Sequence, residues 1–279
     1  MEKLIITAAV NGGITSRVKN PNVPYTPEEI AESVYQCWQA GASIAHIHAR
    51  DSEGSPSYEY CVWKEIVERV RDRCDIVINL STSGLNLPSC LAPEEAWNHL
   101  SLCPEIASFN CGSVNHGAKP FINPPALAKK LAEDINKYNV IPEIEVYHSG
   151  VINEAVSLKK EGFIKSPILF SFAMGIHGGV TAECKNLMNL IDNIPDDSMW
   201  SAIGIGRKQL PINTHTILLG GHVRTGLEDN VYYKKGELAT GSAQLVERVV
   251  RISRELGRDI SSPDEARKAM RLNFVREVA

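Results

Sequence analysis

Short, almost purely apolar runs alternate along this chain with amphipathic stretches of helical period. The first run, Leu4-Ile5-Ile6-Thr7-Ala8-Ala9-Val10, has too little polarity on either face for a solvated sheet. That pattern predicts a parallel strand covered by helices. Asn11-Gly12-Gly13 breaks it, and a loop rich in Pro and Asn leads to Thr26-Pro27-Glu28-Glu29. There Thr26 is placed to N-cap a helix, Pro27 to fill its first position and Glu29 to close a capping box. The helix is expected to reach about Ala40, where Gly41 ends it.

The cycle then repeats. Residues 43–48 predict a second strand, and Val62, Ile66, Val67 and Val70 give 60–73 a helical stripe. Further strands are predicted at 75–80, 106–110, 141–147, 167–172, 200–205 and 222–225. A short helix follows Ala92-Pro93-Glu94-Glu95, and another runs from Pro124-Pro125 to about Tyr138 with Asn123 as its cap. Helices are also expected at 151–161, about 181–190, 210–219, 242–256 and 263–270. Eight strand–helix units predict an α/β fold, a (β/α)8 TIM barrel over 1–279 as a single domain with a C-terminal helical extension. An open doubly wound sheet is the alternative, and the lack of Gly-x-Gly-x-x-Gly after the first strand counts against it.

Composition narrows the function classes. Apolar residues make up 43% and charged residues 22%, which suits a globular chain with a substantial core. The 29 basic and 33 acidic residues leave a formal charge of −4, so neither nucleic acid nor a membrane surface is an expected partner. No apolar run has the length to span a bilayer, and Met1-Glu2-Lys3 does not open a signal peptide. Cys37, Cys61, Cys74, Cys90, Cys103, Cys111 and Cys184 are odd in number with no Cys-x-x-Cys spacing. They read as reduced thiols in a cytoplasmic protein.

The chemistry concentrates where strands end. In Ser43-Ile44-Ala45-His46-Ile47-His48-Ala49-Arg50-Asp51 the two histidines share one face of a strand, since side chains alternate along it. Two imidazoles placed so can grip one divalent metal if a third ligand arrives from elsewhere, although two core histidines would show the same spacing. Polar or glycine-rich sequence recurs after the other strands, at 81–84, 110–115, 145–149, 204–207 and 224–229. Packing alone has no need of polarity in that register. Glu228, past the last barrel strand, is the best-placed third ligand, with Glu145 and then His148 as competitors. Glu228 could equally be a loop carboxylate paired to Arg207 or Arg224. Asp229 could face a substrate as base or orienter, and Arg224 could bind a carboxylate through its forked donors. Ser81, Thr82 and the amides around Gly84 offer donors to an oxyanion. Gly204-x-Gly206-Arg207 could take a phosphate. Glu143 and Glu145 share one face of a central strand and must find partners there.

Several segments resemble the β-keto acid cleavage enzyme family over nearly the whole chain. They are Thr7-Ala8-Ala9-Val10-Asn11-Gly12, Thr26-Pro27-Glu28-Glu29-Ile30, Ala45-His46-Ile47-His48-Ala49-Arg50-Asp51 and Asn110-Cys111-Gly112-Ser113-Val114-Asn115. Gly204-Ile205-Gly206-Arg207 and Gly221-His222-Val223-Arg224-Thr225-Gly226-Leu227-Glu228-Asp229-Asn230 complete them. The resemblance implies a zinc-dependent barrel, a homotetramer, and a reaction in which a β-keto acid and acetyl-CoA give acetoacetate and a new acyl-CoA. By position it implies His46, His48 and Glu228 as metal ligands, Asp229 as the catalytic acid–base residue and Arg224 as the arginine assisting at the keto acid. It also implies Ser81 as a hydroxyl near the substrate, and Ser108 falls where a relative has threonine. Thr82, Gly84, Ser108, Asn110, Glu145 and Ile14 are expected at the substrate, and Gly204, Gly206 and Arg207 at the cofactor.

Two positions depart from a family member that acts on an amino-bearing keto acid. It has a glutamate where this chain has Ile14, and an acid where this chain has His148. Isoleucine cannot pair with an ammonium, so an uncharged or apolar β-keto acid is the expected substrate. A metal-dependent aldolase or hydrolase would use His46, His48 and Glu228 equally well. A non-catalytic metal-organised binding barrel would leave Asp229 and Arg224 without a role.

Overall fold

The computed structural model describes residues 2–165 and 167–272; of the predicted domain, positions 1, 166 and 273–279 lie outside the described residues. Twelve strands are present among these: β1 (Ile6–Ala9), β2 (Ile44–Ile47), β3 (Val77–Leu80), β4 (Ile106–Phe109), β5 (Val114–His116), β6 (Lys119–Phe121), β7 (Ile141–Val146), β8 (Ile168–Met174), β9 (Ser198–Gly204), β10 (His222–Thr225), β11 (Tyr232–Lys234) and β12 (Glu237–Leu238). Eight of them close into a barrel in the order β1-β10-β9-β8-β7-β4-β3-β2, and every neighbouring pair runs parallel. Helices α1 (Pro27–Gln39), α2 (Tyr60–Arg73), α3 (Pro125–Lys137), α4 (Ser149–Lys160), α5 (Cys184–Asn193), α6 (Gln209–Leu218), α7 (Ser242–Glu255) and α8 (Pro263–Met270) accompany it, with a 3₁₀ helix over Pro93–Leu102. The (β/α)8 barrel is therefore the fold. No helix among the described residues is long and apolar enough to cross a membrane.

Local chemistry sets the elements. Thr26 accepts from the Glu29 amide while Glu29 reaches back to the Thr26 amide, the capping box that the sequence predicts. Burying Ile30, Ala31, Val34 and Cys37 aligns one face of α1 with the barrel. Asn123 is not the cap of α3. Pro125 fills the first helical position, Pro124 in extended conformation becomes the N-cap, and the Asn123 side chain donates to the Gly112 carbonyl instead. Strand β8 runs two residues beyond its expected end, because Ala173 and Met174 continue the pairing with β9.

Two clusters fill the space between barrel and helices, one under α3 to α5 and the other under α1, α2 and α7. The bottom of the barrel is plugged by α8, whose Ala266 and Met270 meet Ile5, Ile44, Val77, Ile106 and Leu169. Beside that plug Arg267 donates to Glu105 at 2.9 Å, so the final helix is tied to the floor by a buried ion pair. The opposite end, where strands finish and loops begin, is left to form a cavity.

Candidate active site

The cavity at the C-terminal mouth has a volume of about 550 Å³. His46 and His48 leave β2 on the same side, and their Nε2 atoms come within 3.3 Å of each other. Glu228 reaches them from the loop after β10, with Oε1 3.4 Å from His48 and Oε2 3.8 Å from His46. The three ligand atoms lie within 4.8 Å of one another, close enough to hold one divalent ion. Glu145 and His148 are not part of this cluster. Glu145 turns to Arg224, and His148 Nε2 lies 3.3 Å from the Ser113 carbonyl.

The loop after β1 braces two of these groups. Asn11 accepts from the His48 amide and donates to its carbonyl, and Thr15 Oγ1 donates to the Glu228 carbonyl. Arg50 is buried, with its guanidinium spent on the carbonyls of Gly12, Asn11, Thr15 and Gly54. Gly12 has φ +66°, and a Cβ there would stand 2.4 Å from Glu228 Cγ. Only glycine permits both that backbone and that approach.

Arg224 forms the electrostatic centre. It gives Asp229 a two-pronged contact, Nη2 to Oδ1 at 2.9 Å and Nε to Oδ2 at 3.1 Å. Its remaining reach goes to Glu228 Oε1 at 2.6 Å and Glu145 Oε1 at 3.3 Å. The fork expected to take a substrate carboxylate is thus turned toward Asp229. Glu145 also accepts from Asn110 and from the Tyr147 hydroxyl, and Glu143 accepts from Asn79 at 2.7 Å. The two acids on β7 therefore have the partners that burial requires.

Charge states follow. Burial lowers His46 to about 3, and the nearby Arg224 adds to the effect, so its imidazole is neutral and able to donate a lone pair. Burial alone would raise Glu228, yet Arg224, then His48 and His46, hold its carboxyl well below the usual range. Asp229 is pushed up to about 7 by burial, against the pull of Arg224 and with help from the Glu228 charge. Three carboxylates share one guanidinium here, which leaves two negative charges when all are ionised. Glu228 Oε2 is buried without a hydrogen-bond donor. A neutral His46 imidazole and the His48 ring, beside carboxylates in excess of the one guanidinium and an unpartnered carboxylate oxygen, fit a divalent cation.

The other expected residues divide. Ile14, Ser81, Gly206 and Arg207 line the cavity with His48, Glu145, Arg224, Glu228 and Asp229. Thr82 and Ser108 engage each other, Thr82 Oγ1 donating to the Ser108 carbonyl and Ser108 Oγ accepting from the Thr82 amide. Asn110 stands behind Glu145, and Gly84 packs near Ala96. Gly204 abuts Lys208 and Gln209, where a Cβ would meet the Lys208 carbonyl at 2.5 Å. The Gly206 amide donates to the Asp229 carbonyl at 2.7 Å, so it fixes the loop after β10. Residues not anticipated from sequence include Tyr147, His116, Phe121, Ala173, Ile203 and Lys19, all part of the lining. His116 and Phe121 arrive on the β5–β6 hairpin, where Val114 pairs with Phe121 around a tight turn containing Gly117.

Fold and site together define a (β/α)8-barrel enzyme with a metal-competent mouth. The chain belongs to the beta-keto acid cleavage enzyme family, whose model matches residues 3–272. It is 41% identical over 274 residues to the 3-keto-5-aminohexanoate cleavage enzyme of Fusobacterium nucleatum subsp. nucleatum, covering 98% of this chain and 99% of that one. It is 34% identical over 292 residues to the 3-dehydrocarnitine:acetyl-CoA trimethylamine transferase of Rhizobium meliloti, covering 97% of each. A solved binary complex of ObcA with oxaloacetate shares the fold, with TM-score 0.81 and 20% identity over 91% of this chain and 68% of that one.

Proposed function

We propose that this enzyme takes a β-keto acid and acetyl-CoA and releases acetoacetate and a new acyl-CoA, with one zinc ion at His46, His48 and Glu228. The observation that carries the reading is the meeting of His46, His48, Glu228, Asp229 and Arg224 at the mouth of a barrel of this family. When bound, zinc would supply Lewis acidity to polarise the substrate's keto group. Asp229 takes a proton from the carbon between keto and carboxyl groups. The resulting carbanion attacks the acetyl carbonyl, and the thiolate of CoA leaves. That thiolate adds to the original keto carbon, the old C–C bond breaks, and Asp229 returns the proton to the departing acetoacetate carbon. Arg224 holds Asp229 in place throughout and moderates the charge of Glu145 and Glu228. Ser81 offers its hydroxyl to the substrate, with Thr82, Ser108, Asn110 and the turn at Gly84 keeping its strand end in shape. Arg207, seconded by Lys19, is assigned to the CoA phosphates; Gly204 and Gly206 hold that loop against α6 and Asp229. The family resemblance supports a homotetramer as the assembly.

A panel of β-keto acids offered with acetyl-CoA, followed by mass spectrometry for acetoacetate and the matching acyl-CoA, tests the reaction. Turnover without acetyl-CoA would favour a metal-dependent hydrolase or aldolase and remove this reading. Gly12→Ala checks the metal ligand set. Its Cβ must displace Glu228, so zinc retained through a chelator wash should fall at least tenfold; full retention would detach Glu228 from the metal.

Specificity rests on the lining of the cavity. Its carboxylates, Glu145, Glu228 and Asp229, all contact Arg224, while Ile14, Phe121, Ala173 and Ile203 are apolar. A substrate ammonium there would lose water without gaining a free partner. An uncharged tail gains roughly 0.8 kcal/mol per buried CH₂, about fourfold in transition-state binding. Ile14 is 53% exposed, which leaves it open to ligand at the rim. Wild type should therefore prefer 3-oxohexanoate to its 5-amino analogue in kcat/KM, and Ile14→Glu should move the ratio at least tenfold toward the amine. Equal ratios in both proteins would take Ile14 out of the substrate site.

A further inference from the structure

Beneath the metal cluster, the barrel interior holds a polar row with no part in the steps above. Strand register sets His46 beside Asn79 and Ser108 beside Glu143. Asn79 is fully buried and Glu143 nearly so. Asn79 Nδ2 donates to Glu143 Oε2 at 2.7 Å. An amide has its donors at one end and its acceptor at the other, so this bond decides which way Oδ1 points. Asn79 Oδ1 and His46 Nδ1 are both buried without a hydrogen-bond partner. Burial and Arg224 depress the basicity of His46, and the adjacent Asn79 side chain is among the groups that oppose them. On its other side, His46 turns Nε2 toward His48 and Glu228.

We propose that Asn79, oriented by Glu143, is the positioning residue for His46: its carbonyl accepts the Nδ1–H and leaves the Nε2 lone pair for the metal. A neutral imidazole has one N–H and one lone pair, and the partner of the first nitrogen decides which face can ligate. Metal-binding histidines commonly depend on such an outer acceptor, and losing it typically costs 10–100-fold in metal affinity. Asn79 serves this purpose without adding a charge to a cluster already rich in carboxylates. Glu143 supplies the fixed point, because without it the amide could turn over and present a donor to His46 instead.

The proposal rests on the zinc reading only for its second readout. The first is the tautomer of His46 in metal-free protein, read by ¹⁵N NMR of histidine-labelled chain and assigned by comparison with His46→Gln. Wild type should show Nδ1–H. Asn79→Leu should lose that preference and bind Zn²⁺ about 10–100-fold more weakly in a chelator competition. A wild-type Nε2–H tautomer would overturn the proposal even if Asn79→Leu failed to fold. An unchanged tautomer and zinc affinity in folded Asn79→Leu would overturn it equally. Zinc failing to bind wild type while the tautomer pattern held would remove the metal reading and leave the Asn79 contact standing.

Discussion

Asp229→Asn is expected to lower kcat by two or more orders of magnitude while leaving the fold and metal content unchanged. The side chain is 2% exposed and sits against Arg224 through two contacts, at 2.9 and 3.1 Å. Asparagine keeps the size and can still accept from one arm of the guanidinium. It cannot take a proton from the substrate carbon, and loss of a positioned acid–base group costs about 10²–10⁴ in rate. Arg224 retains Glu145 and Glu228, so no buried cation is stranded. The measurement is kcat with both substrates saturating, alongside a thermal melt and zinc analysis. Near-normal turnover would end the assignment, and Glu145, on the other side of Arg224, would be the next base to replace.

The second large effect concerns the metal. His46→Ala and His48→Ala should each reduce zinc from about one per chain to near zero after brief exposure to a weak chelator. Each substitution removes one of three protein donors, and the remaining pair no longer surrounds the ion. It also leaves the carboxylates around Arg224 without their balancing charge. His48 is partly exposed, so its alanine variant disturbs packing least and gives the cleaner result. Elemental analysis of washed protein reads the outcome, and unchanged content in both variants would place the metal elsewhere.

The fold was largely legible because most barrel strands are dominated by apolar residues and α1 and α8 open with capping boxes. Residues 222–225 form a strand in both the expectation and the structure, short as it is, since Gly220-Gly221 and Gly226 bound it. The β5–β6 hairpin was not anticipated. Its strands have three residues each and mixed polarity, so neither period shows clearly, although Val114 and Phe121 flanking Gly117 are the trace it leaves. That hairpin brings His116 and Phe121 to the cavity. In the site, spacing alone paired His46 with His48, since strand geometry is local. The contacts of Arg224 were not legible to the same degree. Glu145 lies 79 positions away in sequence, and only barrel closure brings it to the guanidinium. The Arg224–Asp229 contact is local: the turn at Gly226 folds Asp229 back onto the arginine's fork, where the sequence suggests a substrate carboxylate.

The most direct test of the proposed reaction follows carbon. Purified enzyme is given unlabelled 3-oxohexanoate and acetyl-CoA carrying ¹³C at both acetyl carbons, and the products are weighed by mass spectrometry. The proposed reaction yields acetoacetate heavier by two mass units, with both labels in its methyl-ketone half, and butanoyl-CoA with no label. Unlabelled acetoacetate, label in the butanoyl chain, or cleavage that proceeds without acetyl-CoA would contradict it.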